Sequence, residues 1–497
     1  MNPVPLSRAT LSMLPPGVAA PGYDPARVTA GIVHLGLGGF HRAHMARYTS
    51  ELMALDPAAL RWGIVGAGLL PGDGAMHDAL APQDLLYTLV ERDAAGERVS
   101  VIGSLAGLVD AGESSAALLD AIDAPGIRIV SMTVTEHGYC IDRATKQLDR
   151  MHPLVEHDLA DPRRPRSVPG IIVEGLRRRR AAWRRPFTAL SCDNIEHNGR
   201  VLRAAVLDLA ERVDPALAAW IATEGCFPGT MVDRITPVTR PADVADLAAR
   251  HGIADAWPVV CERFSQWVIE DDFADGRPRW EDVGAQFVAD VAPYEFMKLR
   301  LLNASHLAIA GLGKLIGYVH VDEAMRDPRL RAYMVALMDR ETGPTLRPVP
   351  GVDLPAYKAM LVERFANPRI RDTLDRINAD APLNYLLDPV RDRLASGAPI
   401  PLLALAVAAW LRRVRGEDEA GRVLEVCHPL AALLREKAVE GGPGPRPLLA
   451  IEALFGNLGR DPAFVDAVTQ QLESLYARGA AATLAGVFGE NGAAGED

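Results

Sequence analysis

The 497-residue chain has few cysteines, and their arrangement is uninformative. Cys140, Cys192, Cys226, Cys261 and Cys427 are scattered and odd in number, with no C-x-x-C or H-E-x-x-H spacing. Neither a disulfide framework nor a zinc site is expected from them, and the adjacent pair Cys427-His428 makes no tetrahedral centre. No apolar run is long enough for a bilayer, since the longest ends after Ile400 to Leu411. Met1 to Pro21 has neither a basic start nor a long apolar stretch, so a secretory leader is not expected. Positive charge is also in deficit. The net charge of −11 argues against a polyanionic partner. One basic run opposes it, Arg177 to Arg180 with Arg184 and Arg185, and it reads as the solvated face of a helix. Low-complexity tracts and internal repeats are missing as well. These absences leave a cytoplasmic globular protein in a reducing setting, with no nucleic-acid or membrane partner.

What is present is enough chain for more than one core. From about 30 to 200, apolar strand-like runs alternate with helical patterns: Gly31 to Leu35, Trp62 to Val65, Leu85 to Val90, Ile127 to Thr133 and Phe187 to Cys192. That alternation predicts βαβ units and a parallel sheet. Two extended segments follow, Phe227 to Pro237 and Trp267 to Phe287. The second carries Asp275-Gly276 and Arg277-Pro278, which suit a hairpin. Beyond about 290 the periodicity is helical. The fold class expected is α/β, a Rossmann-type N-terminal domain over 1–288 and a mainly α-helical C-terminal domain over 289–497. The last ten residues are expected to fray.

The first strand runs into Gly36-Leu-Gly38-Gly39-Phe40-His41. Gly36 permits a tight turn, and Gly38 lets a pyrophosphate approach the backbone. Gly36, Gly38, Gly39 and Phe40 are therefore candidate cofactor-binding residues, although His41 stands where a third glycine is usual. The competing reading is a glycine turn used only for packing. After the second strand, Asp73 is the candidate for the ribose hydroxyls. No Arg or Lys occurs from Gly66 to Asp78, which favours NAD over NADP. The fourth strand ends at Glu136, where an acid could reach the cofactor or a water path.

The segment Lys298-Leu-Arg-Leu-Leu-Asn303-Ala-Ser-His306 sets an amine, an amide and an imidazole among apolar residues. At about 100° per residue, an α-helix would put Asn303 roughly 140° and His306 roughly 80° from Lys298. Glu295 falls in the same arc. A lysine among leucines is a candidate proton acceptor, because desolvation disfavours its ammonium form. Taken alone, the segment also fits an amphipathic helix with a wet polar face.

Six blocks in order change that balance: Gly36 to His44, Thr135 to Cys140, Ser191 to Asn194 with His197 to Gly199, Phe227 to Pro237, Trp267 to Phe287 and Tyr294 to His306. In these the chain resembles the polyol-specific long-chain dehydrogenases. The resemblance implies metal-independent, NAD-dependent interconversion of a polyol and a ketose, D-mannitol and D-fructose, by a monomer whose active site lies between its two domains. It implies Lys298 as the catalytic base, Asn194 and Asn303 as amides on the reacting oxygen, and His306 as the residue that orients substrate. It also implies Val232, Asp233 and Arg376 on the polyol chain, with Glu295 near the lysine and Glu136 on its water path. Relatives acting on hexuronates (fructuronate or tagaturonate), on D-arabinitol or on sorbitol share the lysine helix, so that helix does not separate them. After Arg376 the family pattern departs. Asp380-Ala-Pro-Leu-Asn384 puts Asn384 where a substrate-contacting lysine is expected, and the missing cation argues against an acidic sugar.

Overall fold

In a computed structural model the structure describes residues 3–142, 145–379 and 382–488. Asp380 and Ala381 of the departing segment, and the tail expected to fray from 489 on, lie outside the described residues. The chain divides into two compact units, Met1–Ala292 and Pro293–Asp497.

The N-terminal unit is built on five parallel strands: β1 (Ala30–Leu35), β2 (Gly63–Gly68), β3 (Leu105–Asp110), β4 (Ile129–Met132) and β5 (Thr188–Ser191). Their spatial order is β3-β2-β1-β4-β5. Val33 and Leu35 of β1 enter one apolar cluster and Ile32 the other, so the sheet is covered on both faces. Burial on both sides explains why β1, β4 and β5 read as continuous apolar runs rather than alternating ones.

Two expectations from the sequence are corrected here. The run Leu85 to Val90 is not a strand of the parallel sheet. Tyr87–Arg92 belongs to a separate four-stranded sheet, where it pairs antiparallel with Glu97–Ile102. The third parallel strand is Leu105–Asp110, whose half-buried side chains weaken its apolar signal. Nor is Trp267 to Phe287 a hairpin. Gln266–Glu270 and Gln286–Val288 pair in parallel. The Asp275-Gly276 turn does form, with Gly276 at φ +73. Arg277 is then tied to Asp271 and Glu281, and its guanidinium lies 3.3 Å from the Phe287 ring centroid. The intervening chain thus becomes a crossover rather than a return.

The basic run also reads differently. Arg177 and Arg178 both pair with Glu174 on the helix Val168–Ala181. Arg179 is buried and donates to the carbonyls of Ile122 and Ile127. Part of the run is therefore an internal brace, because the Ile122 carbonyl at the end of a neighbouring helix and the Ile127 carbonyl in the loop after it need donors.

The C-terminal unit is helical, with no strand among its described residues. Its central helix, Pro401–Arg413, is buried from Leu402 onward. It packs on the helices Ala304–Ile316 and Pro462–Phe488, the latter kinked at Gly479. The long apolar run thus becomes an all-round core helix. Among the described residues no helix is long and apolar enough to cross a membrane.

Candidate functional site

Four of the expected positions gather at the C-terminal edge of the parallel sheet, where ligands bind in open α/β folds. They are the glycine turn after β1, Asp73 after β2, Glu136 after β4 and Asn194 after β5. Gly36 has φ +82, and a Cβ there would strike the carbonyl oxygen of Thr133, so only glycine fits. A Cβ on Gly38 would meet nothing nearer than the Gly36 carbonyl oxygen at 3.9 Å. The backbone at Gly38 is therefore open on the side from which a pyrophosphate would approach, and this turn fits a dinucleotide.

The helix that follows, Gly39–Ala43, is short and breaks at His44 before Met45–Leu55. His41, in place of the third glycine, is buried and stacks on His34 with ring centroids 3.4 Å apart. Phe40 stacks on His44 at 4.9 Å. His34 bridges the Oγ of Ser131 (2.8 Å) and of Thr133 (2.9 Å). The Thr133 hydroxyl donates to the Gly36 carbonyl at 2.9 Å. Because that proton is committed, Thr133 must accept from His34 Nε2–H, which fixes the histidine tautomer. Burial pushes His34 and His44 down to about 3 and carries His41 well below the usual range. All three are neutral at ordinary pH. The sequence hid this cluster because a histidine in a glycine loop looks like a polar surface residue.

Asp73 accepts from the N–H groups of Leu69 (2.8 Å) and Leu70 (3.0 Å) through Oδ2. It braces the turn after β2, and Oδ1 is not part of that brace. Glu136 forms an ion pair with Lys146. Val232 and Asp233 are buried in the strand Thr230–Asp233, Val232 within an apolar cluster. Asn198 ties that strand to the end of β5. Its Nδ2 donates to the carbonyls of Asp193 (3.0 Å) and Thr230 (2.9 Å), and its Oδ1 accepts from Thr230 N–H at 3.0 Å.

In the C-terminal unit one helical run carries Glu295, Lys298, Asn303 and His306. It is not uniformly α-helical as the spacing predicts. Between Ala292–Met297 and Ala304–Ile316 the backbone widens into a π turn over Lys298–Asn303, closed by the Ala304 N–H on the Leu299 carbonyl. A wider turn subtends fewer degrees per residue, so Asn303 rotates toward the face of Lys298. Single π turns concentrate at functional sites. Glu295, Lys298 and Asn303 are only 5%, 7% and 8% exposed, so this is no wet helix face. The Oδ1 of Asn303 is buried without a hydrogen-bond partner among the described residues. His306 stacks on Phe365 with centroids 4.1 Å apart.

Arg376 lies on Leu374–Ala379, which packs against Ala304–Ile316. Its guanidinium is held by the carboxylate of Asp372, a partner that the sequence did not single out. An acid four residues before the arginine, just ahead of the helix start, was the available signal. Asn384 opens the helix Asn384–Ala395. Among the described residues no group of three or more His, Cys, Asp or Glu side chains is arranged to hold a metal ion.

The strand order and the glycine turn define a Rossmann-type dinucleotide-binding unit. Residues 30–282 match the mannitol dehydrogenase Rossmann domain, and 290–476 match the mannitol dehydrogenase C-terminal domain. The chain is 44% identical to D-mannonate oxidoreductase of Escherichia coli K12, over 93% of this chain and 96% of that protein. It is 42% identical to mannitol 2-dehydrogenase of Pyricularia oryzae, over 94% and 95% respectively. Mannitol 2-dehydrogenase of Pseudomonas fluorescens, solved as a ternary complex with NAD and D-mannitol, superposes with a TM-score of 0.88 at 44% identity. That match covers 97% of this chain and 99% of that one. The chain belongs to the mannitol dehydrogenase family. It is accordingly an oxidoreductase of the polyol dehydrogenase class.

Proposed function

We propose that this protein is an NAD-dependent, metal-independent polyol 2-dehydrogenase that interconverts D-mannitol and D-fructose, with Lys298 as the proton acceptor. The observation that carries the reading is the buried amine of Lys298 on a π turn with the amide of Asn303. Gly36, Gly38, Gly39 and Phe40 hold the dinucleotide, with Asp73 on its ribose. Bound NAD supplies the hydride acceptor. This chain does the rest: the neutral Lys298 amine takes the hydroxyl proton, and the amides of Asn194 and Asn303 donate to the developing alkoxide. His306, held flat against Phe365, orients substrate. Val232, Asp233 and Arg376 meet the polyol chain, Glu295 stands one turn before the lysine, and Glu136 serves its water path. In reverse, protonated Lys298 acts as general acid on the ketone. The protein works as a cytoplasmic monomer.

A second reading is favoured by the D-mannonate oxidoreductase relative, which points to a sugar-acid substrate. A carboxylate would call for an available cation. Arg376 is already charge-paired with Asp372, and Asn384 stands where the family has a lysine, so the neutral polyol is preferred. The test is a panel of mannitol, arabinitol, sorbitol and mannonate at roughly pH 8–10, where the neutral fraction of an amine rises with pH, with NAD and NADP in parallel. The expected outcome is NADH formation fastest with mannitol. No turnover of any neutral polyol would sink the proposal, and mannonate outrunning mannitol would install the second reading. Light scattering checks the monomer.

A further inference from the structure

Asp193 sits one residue before Asn194 at the end of β5 and is buried. Its Oδ1 accepts from Thr135 N–H at 2.8 Å, and its Oδ2 accepts from Val134 N–H at 3.1 Å and from the Tyr139 hydroxyl at 2.8 Å. Its own carbonyl receives Asn198 Nδ2 at 3.0 Å. One residue thus ties the loop after β4 to the loop after β5. The β4 loop is strained at that point, because Thr135 has φ +59. A β-branched side chain rarely adopts the left-handed region, and such residues persist only where their surroundings over-determine them. The two N–H groups that converge on Asp193 are those of Val134 and Thr135, so the carboxylate directly rewards the left-handed turn. The Thr135 turn leads at once into Glu136, and Asp193 leads at once into Asn194.

We infer that Asp193 is a positioning residue: its carboxylate holds Thr135 in the left-handed conformation and so sets Glu136 and Asn194 in register with each other. The inference rests on the reading that those two residues serve polyol oxidation. The same geometry makes a substitution at Thr135 diagnostic, since glycine adopts positive φ without a clamp.

Asp193→Asn keeps the shape but turns one acceptor into a donor facing N–H groups. It is expected to lower kcat for mannitol oxidation more than tenfold, with the dissociation constant for NADH changed less than threefold. Thr135→Gly alone should stay within about twofold of wild type. In the Asp193→Asn background, Thr135→Gly should restore kcat to within threefold of the Thr135→Gly enzyme. Amide exchange over 133–140, which needs no turnover, should quicken at least tenfold in Asp193→Asn and report the clamp even if the wild type oxidised no polyol. In that case the functional reading would fall and the clamp would be judged by exchange alone. Retained kcat in Asp193→Asn, unchanged exchange, or a double variant no better than Asp193→Asn would overturn the inference. If Asp193→Asn does not fold, the double variant is compared with Thr135→Gly, and a gap above tenfold or renewed failure to fold overturns it equally.

Discussion

Two buried asparagines divide the molecule's labour. Asn198 in the N-terminal unit is fully enclosed, and its amide is saturated by Asp193 and by the backbone of Thr230 on both sides. Asn303 in the C-terminal unit is almost as buried, yet its Oδ1 has no partner among the described residues. An unpaired buried amide is costly in a protein interior, and it is tolerated where another requirement prevails. An asparagine amide can turn over about its last bond, so either its N–H or its C=O can face a ligand. The first asparagine spends its bonds on backbone, and the second leaves its Oδ1 unpaired among the described residues, as the role proposed for it on the reacting oxygen requires. Lys298 shares the turn with the second.

That contrast can be broken most directly at Lys298. Lys298→Ala should lower kcat at least 100-fold, within the range for a lost general base, while NADH still binds with unchanged fluorescence enhancement. A variant keeping a tenth of the activity would remove Lys298 as the base. The asparagines come next. Asn303→Ala should cost about 3 kcal/mol of transition-state stabilisation, roughly 100-fold in kcat/KM, with Tm shifted less than about 2 °C. Asn198→Ala should do the opposite. It strands the carbonyls and N–H that its amide satisfies, at about 1–3 kcal/mol for each group, and Tm should fall by roughly 5–10 °C. If both variants behave alike in calorimetry and in kinetics, the division between them is wrong.

A smaller effect separates two glycines of one turn. Gly36→Ala puts a side chain into the Thr133 carbonyl at positive φ and should unfold the turn. Gly38→Ala meets open space, so Tm should hold. Its methyl would stand where the pyrophosphate approaches, raising the NADH dissociation constant by about tenfold or more, or about 1.4 kcal/mol. Unchanged NADH affinity in Gly38→Ala would move the phosphates elsewhere.

The parallel sheet was largely legible because buried strands announce themselves as unbroken apolar runs. Leu105–Asp110 was missed because its half-exposed residues dilute that run. The crossover after Gln266–Glu270 was misread as a hairpin because turn residues report a local bend and not where the chain goes next. Lys298, Asn303 and His306 stand out in the sequence as candidates by type and spacing, but their angular relation does not. A π turn is a non-local compromise that leaves no periodic signature in sequence, and the 100° rule misplaces Asn303 at that very point. The histidine cluster under the glycine turn was opaque for a related reason. Only the fold reveals that His34, His41 and His44 are sealed off from water.

Those histidines tie the same comparison to pH. The N-terminal unit should be the pH-sensitive half in stability and the insensitive half in binding. Burial holds His34 and His44 at about 3, below the usual value near 6.5. Between those values the unfolded chain takes up protons that the folded chain refuses, so stability falls as pH falls below 6.5 and is unaffected by these groups above it. Each histidine contributes about 1.4 kcal/mol per pH unit of slope within that window. Urea midpoints taken between pH 6.5 and 5.5 should therefore drop, and His44→Phe should remove one histidine's share of the slope. NADH affinity should stay flat from pH 6 to 8, because the turn above the cluster is held by neutral rings throughout. A binding curve that titrates near 6.5 would mean that at least one of these rings reaches water, and the tautomer assigned to His34 through Thr133 would fall with it.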